Sequence, residues 1–383
     1  MQKSQYVILT GGKNNAGDFL IKYKAKKLFA ALRPDVEIID FDGWKELTSE
    51  QVEVVNHSKA LILLGGPALQ GSMYPNVFPL VKNLDELKVP VLTMGVGYKE
   101  ESGHWQNTSS YLFSNATKKL LDRIEKAPFK SSVRDYHTLN VLLHKGYKNF
   151  VMSGCPALYE LDKIGSNVSS IKSISKIAFS LGVSYLTSSS MKSQMQRLIL
   201  ALASKYGKEA IVVYFHHSIK LDQEGQKAMV DFFEKNQISI EDISGSEKRL
   251  VEVYQNCDVH IGYRVHAHIH ASSMSIPSIL INEDSRGKGF VTVMGGMMLD
   301  GYYTLPKFNR SDANLMYKAM GGVKKLSYAV GMGKELEAYQ EVVDDVLLNL
   351  EYECVHGNPR TKMTRSSIDV HFEEMKKFIL QLP

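Results

Sequence analysis

The sequence predicts an α/β protein made of two successive parallel-sheet units. Three observations carry this. Short apolar runs of strand length alternate with longer stretches of helical length from Tyr6 to Met152. The alternation starts again at Ile177, which is the order expected of parallel sheets covered by helices. The third observation is the stretch Asp258–Phe290. Asp258–Tyr263 reads as a buried strand, Arg264-Val265-His266 follows, and a run of small and apolar residues suits a helix that Pro277 ends. Arg264 and His266 are therefore expected where a strand's carboxyl end meets a helix's amino end. Ligands bind in that crevice of open α/β sheets, and helix amino ends favour anions.

In the first series, Tyr6–Leu9 is a strand, and the loop Gly11–Asp18 leads to a helix over about Phe19–Leu32, stopped by Pro34. The loop lacks both the P-loop ending and GxGxxG. Its glycines and asparagines bring backbone close to a ligand, or they form a plain turn with Asp18 as N-cap. Val36–Phe41, Ala60–Leu64, Val89–Met94, Ser131–Val133 and Phe150–Met152 read as further strands. Helices are expected over Glu50–Ser58, before Leu87, over Ser109–Lys126 and up to Lys145. Several strands end in glycine or a charged residue, which lines their carboxyl ends along one edge. These six strands predict a doubly wound sheet.

Ile164–Ser175 lacks periodicity and reads as a linker. The second series has strands at Ile177–Leu181, Ala210–Phe215, Asp258–Tyr263 and Ser278–Ile281. Its helices are expected over Met191–Lys205, Gln223–Lys235 and Glu247–Gln255. A short helix is expected after Gly289, then a loop over Gly295–Phe308. From Ser311 the chain is helical in pattern, most clearly at Glu335–Leu350 and Phe372–Leu382.

With 383 residues, 44% hydrophobic and 23% charged, the chain has a globular composition. A net charge of +5 is too small to argue for nucleic acid. It suits anionic small substrates, or loose attraction to an anionic membrane surface. Cys155, Cys257 and Cys354 are few, odd in number and far apart, which points to a reducing compartment without a disulfide framework. Met1–Gln5 runs straight into a strand pattern, so no secretory leader is expected, and no apolar run approaches the roughly 20 residues of a membrane span.

An arginine fork beside an imidazole suits a phosphate or carboxylate with a proton donor next to it. Plainer readings exist: Arg264 as a surface ion pair, and His260, His266, His268 and His270 as buried, hydrogen-bonded side chains. His266 and His270 share a helix face as metal pairs do, but no Cys, Asp or Glu falls at matching spacing. His216 and His217 end another strand of the second series and either converge on the same ligand or divide between core and solvent. Glu283-Asp284-Ser285-Arg286 supplies the crevice with a carboxylate and a guanidinium, or is a solvated cluster.

Taken in order, these residues resemble the polysaccharide pyruvyl transferase family. The Gly12…Asn14…Gly17-Asp18 loop is similar to that family's first motif. Ser132-Val133-Arg134-Asp135 with Gly146 and Gly154-Cys155-Pro156 resembles its middle segment. Arg264-Val265-His266 with Ala271, Pro277-Ser278 and Asp284 resembles its last, R-x-H segment. The resemblance covers about residues 5–320 and leaves out the tail. The pair His216-His217 departs from the family's more usual single histidine and leaves open which one faces the cleft.

The resemblance implies two facing Rossmann-like domains of GT-B-like form with the ligand cleft between them. Residues 1–163 are then expected on the acceptor side, 176–320 on the phosphoenolpyruvate side, and 321–383 as a helical tail. It also implies the reaction. Pyruvate passes from phosphoenolpyruvate to two hydroxyls of a sugar, forming a cyclic ketal and phosphate. No metal or cofactor is demanded. The implied partners are phosphoenolpyruvate and a sugar or lipid-linked saccharide, in the cytoplasm or at the inner face of the membrane. Arg264 corresponds to the family's donor-binding arginine and His266 to its catalytic histidine. The hydroxyl's base is left among Asp18, Asp284 and a second histidine. Asn14, Asn15, Gly17, Arg134, His216, His217, Asp284 and Arg286 are expected around the substrates. Two other functions use the same architecture: a GT-B glycosyltransferase acting on a nucleotide sugar, and a non-catalytic relative that binds sugar or phosphate.

Overall fold

The computed structural model describes residues 4–12, 15–100, 103–171, 173–303 and 337–383. Two six-stranded parallel sheets form its frame. The first contains β1 (Ser4–Thr10), β2 (Val36–Asp42), β3 (Ala60–Leu69), β4 (Val91–Tyr98), β5 (Ser131–Val133) and β6 (Phe150–Met152), in the order β2-β1-β3-β4-β5-β6. Its central strands are apolar on both faces, and Tyr6–Leu9 and Ala60–Leu64 are fully buried, as a sheet covered on two sides requires. β3 and β4 run further than the sequence predicts, through Gly65-Gly66 and Gly95-Val96-Gly97. Gly66 and Gly95 take positive φ and bend the strands without ending them.

Helices α1 (Ala16–Leu32), α2 (Ser49–His57), α3 (Asn115–Glu125) and α4 (Tyr136–His144) connect these strands. α1 begins before Phe19 because Asn15, not Asp18, is its N-cap: the Asn15 side chain accepts from Gly17 N at 3.2 Å. The helix expected before Leu87 is absent. Pro75 and Pro79 lack donors, and only short turns form at Met73–Val77 and Leu84–Glu86. α3 starts at Asn115 rather than near Ser109, where the Ser114 side chain caps it by accepting from Thr117 N at 3.1 Å.

The second sheet contains β7 (Ile177–Ser180), β8 (Ile211–Phe215), β9 (Ser239–Asp242), β10 (Val259–Gly262), β11 (Ser278–Asn282) and β12 (Met297–Asp300), in the order β12-β11-β10-β7-β8-β9. Its helices are α5 (Ser189–Tyr206), α6 (Glu224–Lys235), α7 (Glu247–Gln255), α8 (Val265–Ser273) and α9 (Ser285–Met294). β9 and β12 are the edge strands; β9 has only Ile240 as an apolar residue, and β12 is a short Met-Met-Leu-Asp strand that falls in the loop expected over Gly295–Phe308. α9 starts at Ser285, ahead of the helix expected after Gly289, because Asp284 caps it.

A two-stranded ribbon, β13 (Tyr302–Tyr303) with β14 (Glu337–Ala338), precedes helices α10 (Val342–His356) and α11 (Pro359–Leu380). α10 packs beside the second sheet, whereas α11 crosses to the first. Ile368, Phe372, Met375, Phe378 and Ile379 join the same core as Tyr6, Phe29 and Tyr159. Arg33 Nη1 donates to Leu382 O at 3.0 Å, and Tyr6 donates to Pro383 O. Midway, Arg365 Nη1 donates to Ser273 O at 3.0 Å, a free carbonyl at the end of α8. The tail thus ties the two sheets together. Among the described residues, no helix is long and apolar enough to cross a membrane.

The turn into α11 depends on one buried carboxylate. Glu353 accepts from Arg360 N at 3.2 Å, Thr361 N at 3.3 Å and Thr361 Oγ1 at 3.2 Å. These are donors of the first turn of α11 that would otherwise be unpaired. Glu353→Ala is expected to lower unfolding stability by about 1–3 kcal/mol, the usual cost of stranding buried donors. Urea denaturation followed by circular dichroism measures it, and an unchanged midpoint would refute the assignment.

Candidate active site

The carboxyl ends of both sheets meet in one crevice, and three helix amino ends open onto it. β10 ends at Gly262, whose φ of +148° leaves no room for a side chain against Ser180. Arg264 is then the extended N-cap of α8, and its N donates to Ser180 Oγ at 3.2 Å. The guanidinium is buried. Its Nη2 donates to His217 Nε2 at 2.9 Å, and its Nη1 lies 3.8 Å from Glu283 Oε1. His266, in the first turn of the same helix, is buried too.

The first sheet closes on this point through Gly17. A Cβ there would overlap the His266 ring, so the amino end of α1 lies directly on that of α8. Asp18 follows, packed where side chains at Gly12 or Gly66 would meet its carboxylate. Asn15 Nδ2 donates to Asp18 Oδ2 at 3.2 Å. Burial raises the Asp18 pKa, against the lowering effects of Asn15, Arg286 and Arg264. Asn14 lies outside the described residues.

Two further arginines face the crevice. Arg134 follows β5, donates through Nε to Asp135 Oδ2 at 3.0 Å and through Nη2 to Tyr98 O at 3.3 Å, and lies over the Phe290 ring at 5.2 Å. Arg286, in the first turn of α9, is paired with Asp284, which receives its Nε at 2.8 Å and its backbone N at 2.9 Å. Asp284 is therefore engaged as N-cap and counter-ion. Burial opposes its charge, but Arg286 prevails and lowers its pKa.

The histidines separate by environment. His216 points into the core and bonds Tyr254 Oη through Nε2 at 2.7 Å. His217 is exposed and faces Arg264, which settles the direction of each. An arginine only donates, so His217 Nε2 is the acceptor and its neutral ring carries the proton on Nδ1. His260 and His268 both bond Ser278 Oγ at 2.6 Å, in a polar seam inside the second unit. His270, one turn beyond His266, lies near Ser273 Oγ at 3.4 Å, away from the crevice. Among the described residues, no group of three His, Cys, Asp or Glu is placed to hold a metal ion.

Burial, then the charges of Arg286, Arg134 and Arg264, pushes the His266 pKa down to about 3. The crevice thus holds a neutral imidazole among three guanidiniums, two of them hydrogen-bonded to carboxylates and the third, on Arg264, 3.8 Å from one. The sequence reading passed over Tyr185 and Gln226. They line a cavity of about 290 Å³ next to His217, formed by the loops after β7 and β8. Neither carries a motif; they converge only through the folding of separate loops.

The model of the polysaccharide pyruvyl transferase family matches residues 15–285. The chain belongs to this family. That span includes Asn15, Asp18, Arg134, His217, Arg264, His266 and Asp284. A comparison with curated proteins finds no match. Among solved structures, the chain is similar to UDP-GlcNAc 2-epimerase from Neisseria meningitidis bound to UDP-GlcNAc, with a TM-score of 0.53 and 11% identity, covering 98% of this chain and all of that one. The Methanocaldococcus jannaschii UDP-GlcNAc 2-epimerase shows a TM-score of 0.44 and 12% identity, over 92% of this chain and 100% of that one. A mutant of TarM from S. aureus, in complex with Fondaparinux, α-GlcNAc-glycerol and UDP, shows 0.45 and 11%, over 86% of this chain and 57% of that one. The family has the expected GT-B-like architecture here: two parallel sheets facing a common crevice, with a helical carboxyl-terminal region.

His216, His260, His266, His268 and His270 all have pKa values lowered by burial. In the unfolded chain each takes up a proton below about pH 6.5, while the native state resists it. Their contribution is complete above that pH and is lost as pH falls. The melting temperature should drop steadily between pH 7 and 5, at roughly 1 kcal/mol per buried histidine per pH unit below 6.5. Thermal unfolding at several pH values tests this, and a flat profile would contradict the buried neutral state.

Proposed function

We propose that this protein transfers pyruvate from phosphoenolpyruvate to two hydroxyls of a sugar, giving a cyclic ketal and inorganic phosphate. The observation that carries the reading is the convergence of Arg134, Arg264 and Arg286 on the neutral His266, which has no hydrogen-bond partner among the described residues, at helix amino ends. Phosphoenolpyruvate bears a carboxylate and a phosphate on one carbon, and this arrangement offers guanidinium forks and free N–H groups to both. Arg134 and Arg286 each have a carboxylate partner in hydrogen-bonding contact, whereas Arg264 has only neutral His217 and a carboxylate at 3.8 Å. Arg264 is therefore the guanidinium with most to gain from an anionic ligand.

For a sugar oxygen to bond to C2, C3 must accept a proton. His266 is the acid in this scheme, with Asp18 as the base that takes the hydroxyl proton. The second hydroxyl then bonds to C2 as the C2–O bond to phosphate breaks, and its proton leaves with the released phosphate. Burial makes Asp18 more basic, which suits the role. His217, with its acceptor nitrogen engaged by Arg264, is left as a donor to substrate oxygen. His266 must gain a proton before it can act. An incoming polyanion offsets the three guanidiniums and raises its pKa, so donor binding itself charges the acid. Phosphoenolpyruvate is made inside the cell. We therefore place the reaction in the cytoplasm, at the inner membrane face where the acceptor is lipid-linked.

Calorimetric titration tests the donor. Phosphoenolpyruvate should bind saturably, Arg264→Ala should weaken it roughly 10–100-fold, and UDP-GlcNAc should not compete. Binding of UDP-GlcNAc without phosphoenolpyruvate would overturn the reading in favour of a nucleotide-sugar enzyme. Repeating the titration at pH 7 in buffers of different ionisation enthalpy should show uptake of up to about one proton by the wild type and less by His266→Gln. Because the His266 pKa rises on binding, affinity should increase as pH falls and diminish as pH rises through the bound-state value. Equal proton uptake in both proteins would remove His266 from the acid role.

A further inference from the structure

The cavity beside His217 is not explained by donor binding. Its volume of about 290 Å³ lies near the lower end of ordinary small-molecule sites, roughly 300 Å³. Leu186 and Phe215 contribute an apolar wall. Opposite them are polar groups in need of partners. Tyr185 and Gln226 are 6% and 7% exposed. The Gln226 carbonyl oxygen accepts from Lys220 N at 2.5 Å, which leaves its NH₂ free, and the Tyr185 hydroxyl has no partner among the described residues. Arg264 occupies His217 Nε2, and the Nδ1–H has no partner among the described residues. No carboxylate lines the space, and Lys220 is the one charged side chain in its lining.

This chemistry is unlike that of the arginine cluster next door. A polyanion gains little from one lysine when three guanidiniums are within reach. A ring with one apolar face and a set of hydroxyls matches both walls. The cavity is also mechanically linked to the cluster. Glu283 Oε2 accepts from Val183 N at 2.8 Å and Ser184 N at 2.9 Å, which fixes the cavity wall, while Oε1 lies 3.8 Å from Arg264 Nη1.

We propose that this cavity holds the hexopyranose ring of the acceptor, with His217 at the boundary between sugar and donor and Glu283 holding the wall in register with Arg264. The inference rests on the pyruvyl-transfer reading for the identity of the neighbouring ligand. It moves the acceptor from the first unit, where the family resemblance led us to expect it, to the second sheet's edge.

Saturation-transfer NMR with methyl hexopyranosides (gluco, galacto, manno and N-acetylmannosaminide) tests it, with phosphoenolpyruvate calorimetry on the same proteins. At least one glycoside should bind the wild type saturably. Tyr185→Phe should weaken that binding about fivefold, the worth of one neutral hydrogen bond. Leu186→Trp should abolish it by filling the space; Leu186 is 41% exposed at the rim, so the fold tolerates the change. Phosphoenolpyruvate affinity should stay within about twofold in both variants. Absence of glycoside binding by the wild type, glycoside binding indifferent to Leu186→Trp, or a parallel loss of phosphoenolpyruvate would each overturn the proposal. Failure of the wild type to bind phosphoenolpyruvate would strike at the proposed reaction, and the glycoside measurement would still report on the cavity alone.

Discussion

A guanidinium held out of water without a hydrogen-bonded carboxylate is the constraint around which the crevice is built. Removing such a charge from water costs several kcal/mol unless partners replace the solvent. Arg264 is 5% exposed, and its nearest carboxylate, on Glu283, is 3.8 Å away and already receives two backbone N–H groups. His217 supplies a neutral acceptor. These partners compensate Arg264 in part, and the remainder is what a bound anion would satisfy. Much around it serves to hold that state: Gly262 lets the strand end against Ser180, Ser180 fixes the Arg264 backbone, and Asp284 keeps Arg286 from needing Glu283.

The same constraint explains why the chain carries so many histidines around α8. An ammonium or another guanidinium beside Arg264 would add charge to a space that already has too much. Imidazole can be buried neutral and still bond on two sides. His260 does so between Ser180 and Ser278, and His216 bonds Tyr254, as interior polar residues that shape the seam under the site. His266 differs in what surrounds it: it faces arginines and has no hydrogen-bond partner among the described residues. One residue type thus serves both as hydrogen-bonded interior and as the lining of the crevice, and only the neighbours distinguish the two.

Much of this was legible in the sequence. Strand–loop–helix alternation is a local property, so both sheets could be read, and with them the place of Arg264 and His266 at a strand-to-helix junction. The failures have physical causes. β9 is an edge strand, only partly buried, with two carboxylates in four residues, and β12 is a four-residue edge strand entered directly from Gly295-Gly296, which read as a loop. β3 and β4 continue through glycines that look like stops. Asp18 looked like a cap because it precedes an apolar run, but Asn15 reaches Gly17 N first. Tyr185 and Gln226 had no pattern to betray them, since a cavity between two loops is a tertiary fact.

The spacing between the two sheets decides whether the site exists at all. Asp18 and Asn15 belong to the first, and His266, Arg264 and Arg286 to the second. They come together where Gly17 lets α1 lie against the His266 ring. That contact is part of a wider one, since a single hydrophobic core runs from Ala25, Leu28 and Phe29 of the first unit to Leu250, Tyr254 and Ile269 of the second. The return helix α11 adds to it, joining the same core through Phe372 and Phe378 while Arg365 holds the carboxyl end of α8. The amino end of α8 thus touches the ligand crevice and its carboxyl end is pinned by the tail. The tail lies outside the family's matched span, yet it braces the helix that carries His266 at the end away from the crevice.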